Sequence, residues 1–117
     1  MAVLKNLTFQ ELDTALGGDV LEYAAGDITV SLSALTGDTY TALTNEGVVE
    51  VMSKLLTACY TAQEAANAAL APEDSELTSF FTPTNAGYNP DQGGIVFSQQ
   101  MRYVAPVNFD QTVGTNA

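Results

Sequence analysis

Residues 45–70 read NEGVVEVMSKLLTACYTAQEAANAAL, and within them Val48, Met52, Leu55, Cys59, Ala62, Ala66 and Ala69 recur in alternating steps of four and three. Only a helix brings residues at that spacing onto one side. Glu50, Ser53, Lys54, Thr57, Thr61 and Glu64 fall on the other side, so the stretch predicts one long amphipathic helix with a dry face and a wet face. Thr44 or Asn45 is placed to cap its first turn, and Pro72 cannot continue its hydrogen bonds. Glu50 and Lys54 stand four apart in the favoured order on the exposed face. At about 1.5 Å per residue the whole stretch would run roughly 39 Å, more than a small domain needs to cross its own core.

The dry face changes character along its length. Val48, Met52 and Leu55 are bulky, whereas Ala58, Ala62, Ala65 and Ala69 form a ridge of small side chains that lets a second backbone come close. The intrachain sheet is expected to cover the Met52, Cys59 and Ala66 side. The Ala58, Ala62, Ala65 and Ala69 ridge is expected to contact another protein chain, joined by Phe109 and Val113 from the C-terminal arm.

Ahead of this helix, Thr8 and Glu11 make a capping box, with Leu7 and Leu12 placed for a hydrophobic staple. They predict a short helix from about Phe9 to Leu16 that Gly17-Gly18 closes, one of the pair left-handed. Val20, Leu21 and Tyr23 suggest a strand, and Ala25-Gly26-Asp27 a tight turn. From Ile28 to Ala34 apolar and polar residues alternate strictly, which predicts an antiparallel strand with one buried face. Tyr40, Ala42 and Leu43 are either a last short strand or an ordered loop leading into the long helix.

Beyond the helix, the acids Glu73, Asp74 and Glu76 followed by Leu77, Phe80 and Phe81 fit one or two helical turns. Thr82 to Gly94, with two prolines and three glycines, is expected to be a thirteen-residue loop. Ile95 to Val104 predicts a second strand, with Ile95, Phe97, Met101 and Tyr103 sharing a face. The expected architecture is α+β: a small antiparallel sheet packed against one long amphipathic helix, with a short N-terminal helix. Residues 1–106 form the single domain and 107–117 an extended C-terminal arm.

Composition narrows function by exclusion. Fourteen acids against three bases give the 117-residue chain a formal charge of −11, which leaves almost no cations to drive binding to a phosphate backbone. Nucleic acid is therefore not an expected partner. The chain has no histidine, which removes the usual general base and the commonest metal ligand. Cys59 is the sole cysteine and sits on the dry face, where a small buried hydrophobe is its ordinary role. Glu73, Asp74 and Glu76 lack the alternating oxygen ligands and central glycine of a calcium loop. Neither glycine pair belongs to a phosphate-binding motif. No catalytic, cofactor-binding or metal-binding residue is assigned, and no small-molecule substrate is identified.

The N-terminal residues do not make a signal peptide, and no apolar run reaches a membrane span. These features together predict a non-enzymatic structural subunit of a large assembly. Its most concrete form is a bacteriophage or virus particle component, such as a capsid cement or tail protein, located in the virion or the cytoplasm and associating with copies of itself or with other subunits. The alternative is a small acidic adaptor or regulator that docks a basic protein partner.

Overall fold

The computed structural model describes residues 6–71 and 76–103. Helix α1, Phe9–Ala15, begins at the expected capping box. The Thr8 hydroxyl accepts from the Glu11 amide at 3.1 Å, and the Glu11 carboxylate accepts from the Thr8 amide at 2.8 Å. Gly17, Gly18 and Asp19 all have positive φ, so the chain reverses over three successive left-handed residues rather than one glycine. Asp13 then accepts from the amides of Val20 and Leu21 at 2.9 and 2.8 Å, fastening α1 to the first strand.

Strands β1, Leu21–Ala24, and β2, Asp27–Val30, pair antiparallel from Leu21↔Val30 to Ala24↔Asp27. Their two-residue connection, Ala25-Gly26, has both φ angles positive, the geometry whose twist matches a tight hairpin. The strand expected to reach Ala34 ends at Val30. Ser31 instead caps helix α2, Leu32–Thr36, by accepting from the Ala34 amide, and Gly37 closes that helix in the left-handed conformation. Alternation alone could not reveal this, because Leu32 and Leu35 also stand at helical spacing and Leu35 is one of the few buried side chains.

The long helix α3 spans Val48–Ala68, 21 residues and about 31 Å. It starts at Val48, three residues after Asn45, with Gly47 at its N-cap position and no side-chain cap. Asn45 is committed elsewhere: its Oδ1 accepts from the amides of Thr41 and Ala42, making the 38–47 connection an ordered loop rather than a strand. Among the described helices and strands α3 packs on α1 and α2 and on no strand, and its C-terminal half also sets Gln63 against Phe80. The buried residues of the described chain are Val20, Leu35, Ala58, Ala62 and Gln63, and no large side chain among them is completely enclosed.

After α3 the fold departs most from expectation. Leu77 to Phe81 is irregular rather than helical, with a single bridge at Phe80, and amides on α3 bond to the backbone of Leu77 and Phe80. The expected thirteen-residue loop contains a strand, β3, Thr84–Asn89, which pairs antiparallel with β4, Gly94–Ser98. The turn between them is organised by Asn89, whose side-chain oxygen accepts from the amides of Asp91 and Gln92. β4 stops at Ser98, so Met101 and Tyr103 are not on the strand that carries Ile95 and Phe97. Met101 makes an isolated bridge with Phe80 instead. The class is α+β, with a long helix, a short N-terminal helix and two separate two-stranded antiparallel sheets.

Candidate interaction surface

Four features of the described residues bear on function: an amide clamp on α3, the split alanine ridge, a one-sided distribution of charge, and uncovered apolar side chains on both hairpins. The clamp is built from Gln63 and Asn67, one helical turn apart. Gln63 is 4 % exposed; its Oε1 accepts from the Phe80 amide and its Nε2 donates to the Phe80 carbonyl, each at 2.9 Å. Asn67 repeats this with Leu77, accepting from its amide at 2.8 Å and donating to its carbonyl at 2.9 Å. A side-chain amide presents one donor and one acceptor, so it can pair with a peptide unit as a neighbouring strand would. Gln63 is thus a buried polar group with both its partners in place.

Further bonds extend the attachment. Gln99 donates to the Thr57 hydroxyl at 2.9 Å and to the Ser53 carbonyl at 3.3 Å. Ser53 and Thr57, expected to face water, therefore hold part of the C-terminal segment. The Arg102 amide donates to the Ser79 carbonyl at 2.8 Å, and its guanidinium lies 5.2 Å from the Phe81 ring centre. None of Gln63, Asn67 and Gln99 stood out by periodicity; the available signal was two amides at i and i+4 interrupting an alanine run.

The sequence-predicted ridge is divided. Ala58 and Ala62 are 7 % and 3 % exposed, covered within this chain, whereas Ala65 and Ala69 face outward. Phe109 and Val113 lie outside the described residues, as do Pro72, Glu73 and Asp74. Cys59 is half-buried, and burial pushes its thiol above the ordinary value. That keeps it protonated and poorly nucleophilic at neutral pH.

Charge is concentrated at one end. Residues 6–53 contain eight carboxylates and neither a lysine nor an arginine, while from 77 to 101 the one charged side chain is Asp91. The Asp13 carboxyl is held below its usual range chiefly by the Leu21 amide, with the Val20 and Asp19 amides adding to this against an opposing desolvation effect.

Exposed apolar side chains occur at both ends: Tyr23, Ile28 and Val30 on the first hairpin, Val48 and Val49 at the start of α3, and Tyr88, Ile95, Val96 and Phe97 on the second hairpin. The hollow beside α1, lined by Phe9, Asp13, Leu21, Glu22, Tyr23 and Ile28, has a volume of about 100 Å³ and is open to solvent. Ligand pockets typically enclose about 300–1,000 Å³, so this one suits a side chain rather than a cofactor. Among the described residues no three His, Cys, Asp or Glu side chains gather into a metal site, and no helix is long and apolar enough to cross a membrane.

No protein-family model matches this sequence, and neither the curated proteins nor the solved structures contain a match to it.

Proposed function

We propose that this protein is a non-enzymatic structural subunit of a large protein assembly, in its most concrete form a capsid cement or tail protein of a bacteriophage or virus particle. The observation that carries the reading is the incomplete burial of its apolar side chains: Val48 and Val49 are 73 % and 75 % exposed at the start of the longest helix, and both hairpins present uncovered aromatic and β-branched residues. Apolar side chains left uncovered in this way are the kind of surface that contacts with other chains would bury. The outward-facing Ala65 and Ala69 add a flank that a neighbouring backbone can approach closely.

Sedimentation of the full chain over a wide concentration range tests the assembly reading. Concentration-dependent multimers are expected, and a monomer at every concentration would count against it. Mass spectrometry of purified particles from cells carrying the gene tests the virion form, with many copies per particle expected. The carboxylate-only stretch from residue 6 to 53 favours the adaptor as the second reading. Binding to a basic partner would weaken steeply as salt rises, whereas apolar subunit contacts would hold or tighten.

A further inference from the structure

The second hairpin packs against no other described helix or strand. Two isolated strands are marginal in water, and a third strand or a covered face normally stabilises them. Its two outer edges are not equivalent. β3 is flanked by Pro83 and Pro90 and is interrupted by a bulge between Asn85 and Gly87, where Gly87 takes φ 110°. Prolines and bulges are the devices that protect a sheet edge from pairing. β4, Gly-Ile-Val-Phe-Ser, has no proline, no bulge and no charge, and Phe97 is 60 % exposed. Among the described residues it is an unprotected edge.

Charge selects the occupant. Two copies meeting through residues 6–53 would set carboxylates against carboxylates with no base to offset them. β4 lies within residues 92–101, which carry no charge, and offers neither a basic nor an acidic partner a counter-charge. The edge is, however, complementary to itself. Across a two-fold axis at Val96, antiparallel pairing sets Ile95 opposite Phe97 on one face, a favourable β-branched and aromatic pair, and Val96 opposite Val96 on the other.

We propose that β4 pairs edge to edge and antiparallel with β4 of a second copy, joining two hairpins into one four-stranded sheet. The proposal rests on the assembly reading and names the contact that starts it.

Position 96 tests it directly in the full chain. Val96→Asp and Val96→Lys each place like charges opposite one another, so each variant's dimer dissociation constant should rise roughly tenfold or more. A one-to-one mixture of the two variants should restore association, because the Asp then faces the Lys. In the unmodified chain, hydrogen exchange at the β4 amides should slow as protein concentration rises, a readout that needs no variant to fold. Variants that associate as tightly as the parent, or a mixture that fails to recover, would overturn β4 pairing while leaving assembly through other surfaces in place. A parent chain that stays monomeric would overturn both.

Discussion

The part of the chain up to α3 and the part after it are stabilised in different ways. From α1 to α3 the connections are local caps and helix packing: Thr8 with Glu11, Ser31 with Ala34, Asp13 with the start of β1, and α3 lying on α1 and α2. Residues 76–103 are instead attached through side-chain amides that bind main-chain groups of Leu77 and Phe80, and their hairpin packs against no other described helix or strand. The first region also carries the acidic charge, and the second is almost neutral. On the proposed assembly reading the difference would separate two tasks: charge would keep the first region's surface from self-association, and the almost neutral second region would meet another chain.

The strongest test of this contrast is Gln63→Ala. It strands the Phe80 amide and carbonyl in a partly buried site, and at about 1–3 kcal/mol for each unsatisfied group the loss should be roughly 2–6 kcal/mol. Denaturant unfolding reads the total, and hydrogen exchange should show the 76–103 amides released while α1 and α3 stay protected. Equal loss of protection in both regions would show that they unfold as one unit. Asn67→Ala should follow the same pattern at about half the size, because Asn67 is only half-buried whereas Gln63 is buried.

A smaller effect is expected in the first region. Ser31→Ala removes the cap of α2 and should cost about 1 kcal/mol, whereas Ser31→Asp should be nearly neutral because aspartate caps as well as serine. Thermal melting of the two variants distinguishes a cap from a strand position on a solvent face, where both substitutions would be tolerated alike.

The smallest effect concerns pH. The folded state holds the Asp13 carboxyl below its unfolded value, so its contribution to stability is fully present above about pH 4 and is lost as pH falls through the folded value. Asp13→Asn should be less stable than the parent at neutral pH, and the gap between their melting temperatures should narrow in acid. A gap that is constant with pH would show that the charge on Asp13 adds nothing beyond an acceptor that asparagine also supplies.

How far the sequence carries depends on the range of the interactions. The capping box, the glycine closures, the Ala25-Gly26 turn and the body of the long helix were legible because each is settled by residues within a few positions of one another. The alternation after Ile28 was misleading because the same residues satisfy a short helix once Ser31 caps it. β3 was illegible because Thr-Asn-Ala-Gly-Tyr-Asn has little intrinsic strand character and becomes a strand by pairing with β4. The clamp was hidden for a related reason, since Gln63 and Asn67 differ from solvent-facing amides only by what lies opposite them. The sequence by itself determined the α+β class, the long helix and the one-sided charge, because periodicity, caps and ionisable groups are properties of local chain. Tertiary structure decided that α3 lies on helices rather than a sheet, that half the alanine ridge is covered by its own chain, and that a pair of amides holds the second region in place. Those outcomes depend on contacts between distant residues, whose free energy no local pattern records.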